Sequence, residues 1–245
     1  TSTKPVAVFG SHRCANVQSS NQFFCDVVVE ELLPVAGWGT LFYVAPLATR
    51  ASDTVRILSS EIKNNITVTG GGGASAFVLD RAEYKDIVLD SPTRIVCRRP
   101  SLVAHFSNSS DADHVIKSDP FMALVQPADS WLMRYRLCTP PADQFELNYM
   151  NVIAETSSGL NSIRVNGTAL GALPPGTVTT GAFATGQAFA RVRLNPDGAY
   201  LIDSFFVGAA GITSVPFGLT AYGFSEFDSY GYHGGMQSED ILPPL

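Results

Sequence analysis

Apolar residues in this chain come in runs of four to eight, broken by Gly, Pro, Asn, Asp and Ser, and no stretch of eleven or more keeps the spacing a helix needs to bury one face. Such runs are the length of β-strands and too short for packed helices. The clearest are Val6–Phe9, Val27–Leu33, Leu41–Ala45, Thr54–Leu58, Ile66–Thr69, Ala76–Leu79, Lys85–Leu89, Arg94–Cys97, Leu102–Phe106 and Met122–Val125. In the second half follow Tyr135–Cys138, Gln144–Met150, Ser162–Val165, Ala188–Leu194, Ala199–Asp203 and Val215–Ala221. Gln126–Trp131 and Glu155–Asn161 leave room for one short turn each. Strands this many and this evenly spaced predict an all-β protein of jelly-roll-like β-sandwiches rather than a parallel α/β fold.

At 245 residues the chain is long for one small core, and its features recur in order. Ile66 to Gly70, a charged hairpin, then Ser101 to Ser107 in a Ser/Asp-rich stretch make one set. Ile163 to Gly167, the hairpin around Asn195-Pro196-Asp197-Gly198, then Gly218 to Ser225 make the other. This predicts a worn internal duplication: one sandwich over 1–126, a second over 127–237, and a linker or extended tail over 238–245. Gly70 to Gly73 is read as a hairpin tip, and Gly167 to Gly186 as a long loop.

Hydrophobic residues are 45% of the chain and charged residues 16%, enough apolar material for a core and too much for a disordered chain. A net charge of −6 with scattered Lys and Arg leaves no basic stripe to follow phosphates, so nucleic acid is not expected as a partner. No run of about 18 apolar residues could span a bilayer as a helix. The start at Thr1, without a leader, is what a mature secreted protein or an excised piece would show. The four cysteines lack the Cys-x-x-Cys spacing of zinc and redox sites, so disulfides are expected. Of the three pairings four cysteines allow, Cys14–Cys25 and Cys97–Cys138 are favoured on proximity alone. Three Asn-x-Ser/Thr sequons, at Asn65, Asn108 and Asn166, agree with secretion.

No catalytic motif assembles. Gly70 to Gly73 is followed by a strand rather than by Lys-Ser/Thr and a helix, so it is no phosphate loop. Ser75 lacks the Gly-x-Ser-x-Gly elbow of hydrolases. The histidines (His12, His105, His114, His233) show no ligand spacing. The chain is therefore read as a non-enzyme without a cofactor, with calcium as the one candidate ion: Asp111, Asp113 and Asp119 are spaced closely enough on a loop to wrap a hard cation, though without the EF-hand pattern. Trp38, Trp131, Tyr230 and Tyr232 are the aromatics that could form a binding face for glycans, against the plainer reading that they pack.

These residues resemble the N-terminal domain family of the IgG-Fc-binding protein over nearly the whole chain. Ala7 to Asn16 with Cys25-Asp26 is similar to its opening two-cysteine segment. Glu31 to Val35 with Trp38-Gly39 resembles a Leu-Pro-Pro-Val…Trp-Gly signature, lacking one Pro beside Pro34, and Val27 stands where the family has His. Pro46 to Arg50, Val55-Arg56-Ile57, Asp119-Pro120-Phe121-Met122 and the closing Tyr222-Gly223-Phe224 with Asp228 to Gly235 continue the likeness. The resemblance implies secretion, disulfides, a multi-domain parent and an adhesive or structural role, and the leading reading is a module that packs against other copies of itself or neighbouring domains. Antibody binding is not carried over. The competing function is a carbohydrate- or calcium-dependent binding module.

Overall fold

A computed structural model describes residues 3–4, 6–18, 23–141, 144–208 and 211–237, with 206–208 and 211–213 described as backbone only. The expected tail, 238–245, lies outside the described residues. The chain opens with a two-stranded antiparallel hairpin, β1 (Phe9–Ala15) and β2 (Asp26–Glu31), stapled by a Cys14–Cys25 disulfide with Cα atoms 4.9 Å apart. β1 runs through the polar Ser11-His12-Arg13, which no apolar run marks. It is held by pairing with β2 and by the disulfide rather than by its own burial.

The first sandwich contains β3 (Gly39–Val44), β4 (Asp53–Ser59), β5 (Asn64–Gly70), β6 (Gly73–Leu79), β7 (Tyr84–Leu89), β8 (Thr93–Ser107) and β9 (Met122–Leu124). Long β8 absorbs two predicted strands across Pro100. Its first part pairs with β3 and β5, and its second part with β4 and β9. One strand thus serves two sheets, ordered β3-β8-β5-β6 and β9-β8-β4-β7. Proline fits at such a crossing because it cannot donate to either ladder. Between the sheets lie the fully buried Val55, Ile57, Ile66, Ile95 and Val103. Burying each such side chain stabilises by roughly 1.5–3 kcal/mol.

The second sandwich follows with β10 (Arg134–Cys138), β11 (Leu147–Ala154), β12 (Ile163–Val165), β13 (Thr168–Ala169), β14 (Val178–Ala182), β15 (Ala188–Arg193), β16 (Ala199–Ser204), β17 (Phe206–Gly208), β18 (Gly211–Thr213), β19 (Gly218–Ser225) and β20 (Asp228–His233). An α-helix, Ser157–Asn161, is a single turn capped by Thr156. The sheets run β10-β16-β12-β13 and β20-β19-β11-β15-β14, facing each other across Met150, Val152, Ile163, Ala190, Ile202 and Ala221.

The two sandwiches share one strand order: β3, β4, β5, β6, β7 and β9 stand where β10, β11, β12, β13, β15 and β20 do. In place of bent β8 the second has two strands, β16 and β19, separated by the β17–β18 hairpin, and β14 is an added edge strand. The segment Gly167 to Gly186, expected as loop, carries β13 and β14. Both are short, and β14 is a Thr/Gly strand at a sheet edge, where alternation of apolar residues is not needed.

One expected disulfide is corrected. Cys97 is buried in the core of the first sandwich, Cys138 is exposed at the end of β10 in the second, and both are free thiols. Proximity in sequence misled because the Cys97–Cys138 interval spans the passage from one sandwich to the other.

Candidate functional site

The buried joint between the sandwiches is built around the β3–β4 connection. Asn151 on β11 donates through Nδ2 to the carbonyls of Ala45 and Pro46, at 3.1 Å each, and Arg191 on β15 donates to Pro46 O at 2.6 Å. Tyr222 on β19 donates to Asn151 Oδ1 at 3.0 Å and accepts from Ala48 N at 2.9 Å. Complete burial raises the Tyr222 phenol above its ordinary pKa, so it stays a neutral donor. Around this polar latch pack Tyr43, Trp131, Phe183 and Phe189 on one side and Leu47, Phe121, Tyr222 and Phe224 on the other. A Cβ at Gly231 would lie 2.2 Å from the Phe121 ring, so only glycine lets β20 close against the first sandwich.

Arg50, at the end of the same connection, has a fully buried side chain. It grips Asp113 through Nε and Nη2 at 2.9 and 2.8 Å, and donates to Ser109 O at 3.0 Å. A buried guanidinium needs such a bidentate partner to offset its desolvation. Sequence reading missed Arg50 because its partner lies far along the chain, although Pro46 to Arg50 belongs to the family resemblance.

The N-terminal hairpin forms a third layer on the β9-β8-β4-β7 sheet. Its inward Val28, with Val17, Leu32, Leu33 and Trp38, covers the outward side of β8 and β9: Leu102, Ala104, Phe106 and Leu124. Glu30 accepts from Leu124 N at 2.9 Å, and Val17 N donates to Ser109 Oγ at 3.1 Å. Between hairpin and sheet remains a cavity of about 700 Å³. Beside it Arg56 pairs with Asp86 at 2.7 and 2.8 Å and sits 4.2 Å over the Tyr84 ring.

Among the described residues nothing covers the opposite face of the hairpin. Phe9, Val27 and Val29 are 64%, 58% and 54% exposed, and Phe23, beyond the strand end, is 88% exposed. Eight of the fifteen exposed large hydrophobics among the described residues fall within 6–35.

The residues singled out from the sequence fall as follows. Asp111, Asp113 and Asp119 do not form a donor set, because Asp113 is committed to Arg50 and Asp111 accepts from Phe23 N at 2.8 Å. Among the described residues no group of three or more His, Cys, Asp or Glu could hold a metal ion. Trp131 is buried, 5.8 Å from the Tyr43 ring and tight against Gly218, so it is a joint residue and not a sugar platform. Trp38 is partly buried, with Nε1 donating to Leu33 O at 2.9 Å. Tyr230 and Tyr232 stack on each other and spend their hydroxyls on Asn148 Oδ1 and Cys138 O, at 2.6 Å each. Asn65 and Asn166 are exposed sequons. Asn108 is corrected: it is fully buried, bonded to Thr54 Oγ1 and Ser52, and offers no access to a glycan in the folded chain.

Fold and surfaces together define a class: an all-β module of two sandwiches joined by a buried polar latch, carrying a disulfide-stapled hairpin with an apolar outer face. The family model described as IgGFc binding protein matches residues 1–223, and the chain belongs to that family. The human IgGFc-binding protein (Homo sapiens) is 22% identical over 173 residues, covering 70% of this chain but only 3% of that much longer protein. Two solved structures of a Pleurotus ostreatus lectin also match. The apo form has 8% identity, TM-score 0.22, and coverage of 83% of this chain and 76% of the lectin. The complex with GalNAc has 10% identity, TM-score 0.21, and coverage of 96% and 85%. Likeness at that level carries no argument about fold or ligand.

Proposed function

We propose that this chain is a secreted, non-enzymatic structural and adhesion module of a larger extracellular protein, and that it works by packing the outer face of its N-terminal hairpin against a second copy. The observation that carries this reading is the concentration of exposed Phe and Val at one stapled ribbon: eight of the fifteen exposed large hydrophobics among the described residues lie within 6–35. The disulfide and the exposed sequons at Asn65 and Asn166 support the extracellular setting. The carbohydrate alternative needs an open aromatic face, and the four aromatics named for it are packed or internally bonded. The calcium alternative needs a donor set that Asp113 has left.

A stable interface buries roughly 800 Å² per partner. A two-stranded ribbon offers less, so self-association is weak and rises with concentration. Light scattering across a concentration series tests it: the wild type gains mass reversibly, and the double variant Val27→Lys/Val29→Lys stays monomeric. A wild type that remains monomeric throughout overturns the reading. The relative's name describes binding of an IgG Fc, so an Fc fragment is the second arm. Tight Fc binding that the same variant abolishes would replace the second copy as the occupant of this face.

A further inference from the structure

A separate junction ties the hairpin to both sandwiches at once. Phe24, just before β2, stacks on Phe227 in the β19–β20 turn with ring centroids 5.0 Å apart. Phe227 N donates to Ile116 O at 3.1 Å, Phe23 N donates to Asp111 Oδ2 at 2.8 Å, and Ser229 Oγ donates to the backbone carbonyl of Asp119 at 2.7 Å. Three elements therefore meet: the stapled hairpin, the connection from β8 to β9, and the turn of the second sandwich.

At that meeting point stands Asp119, 5% exposed, whose Oδ1 is buried with no hydrogen-bond partner. Each element presents a carboxylate to it: Asp26 from β2, Asp228 from β20 and Asp111 from the β8–β9 connection. Among the described residues the opposing charge acting on it is that of Arg50, already held bidentate by Asp113. An ionised carboxylate is costly here, because its Oδ1 lacks a hydrogen-bond partner, it is largely shielded from water and it faces three like charges. The neutral acid escapes the like-charge repulsion and most of the desolvation cost.

We propose that Asp119 is a proton-operated catch: protonated, it lets the hairpin and the β19–β20 turn close on the first sandwich, and ionised, it loosens both. Burial first, then Asp26 and Asp228, pushes its carboxyl up from 3.8 to about 6, and Asp26 is raised in the same direction, by burial and then Asp228. The sign follows from linkage. A value raised on folding stabilises the closed junction fully below the unfolded value, and that contribution is lost as pH rises through about 6. The device would act in the range between mildly acidic and neutral surroundings.

The inference does not depend on the self-association reading, and its test uses dilute, monomeric protein. Amide hydrogen exchange is followed over residues 23–31 and 225–233 at pH 5 and pH 7.5, corrected for the intrinsic pH dependence of exchange. The wild type is expected to lose protection in both segments, several-fold, on going to pH 7.5. Asp119→Asn, neutral and of the same shape, keeps both protected at both values. The exposed Asp228→Asn removes one repelling charge and moves the wild-type transition to lower pH. Protection that does not change with pH in the wild type, a pH response that survives Asp119→Asn, or an unmoved transition in Asp228→Asn overturns the proposal.

Discussion

The joint between the sandwiches and the outer face of the N-terminal hairpin draw on the same kinds of side chain, yet one is finished and the other open. At the joint every large apolar group has a partner, and the strand-end carbonyls of Ala45 and Pro46 are met by Asn151 and Arg191. On the hairpin, Val28 packs inward while Val27 and Val29 face solvent beside Phe9. The difference teaches that exposed apolar surface here is a property of place rather than of composition. The joint's large apolar groups are closed between elements, whereas among the described residues the hairpin carries the densest set of exposed ones.

The largest expected break in that contrast is Trp131→Ala. It empties the space against Tyr43 and Gly218 and should cost about 3–5 kcal/mol, read as a lower denaturation midpoint. Tyr222→Phe is the sharper probe. It keeps the ring but leaves Ala48 N without an acceptor and Asn151 with one bond fewer, a loss of about 1–3 kcal/mol by the same measurement. At the small end, Val27→Lys/Val29→Lys should change the stability of the monomer by no more than ~0.5 kcal/mol. If that variant destabilised as strongly as the joint variants, the hairpin face would be part of the core, and the comparison would fail.

Much of the sandwich architecture was legible because core strands write their burial into the sequence. Ile66 to Gly70 and Ile163 to Gly167 became β5 and β12, Ser101 to Ser107 and Gly218 to Ser225 became the second part of β8 and β19, and these pairs occupy equivalent places in the two sheets. A worn duplication, in our reading, accounts for that shared order. Strands made by pairing at an edge were not legible: β14 is one Val followed by Thr, Gly and Ala, and β20 mixes Tyr and Gly with Asp, Ser and His. Single-residue functions were least legible. Asp113 reads as a cation ligand until Arg50 is seen to fill its carboxylate, and Asn108 reads as a surface sequon until Thr54 and Ser52 enclose it. Trp131 looks like a platform until Gly218 brings β19 beneath it. Each depends on a partner fifty or more residues away, which local spacing does not reveal.

The central claim is that the joint is closed within one chain and the hairpin face is closed by a second. Hydrogen exchange at low and high protein concentration separates the two directly. The account expects slow exchange along β11 and β19 at either concentration, and protection along β1 and β2 that grows as the protein is concentrated. Equal exchange of β1 and β2 at both concentrations would contradict it and leave the hairpin as a surface that meets no copy of itself.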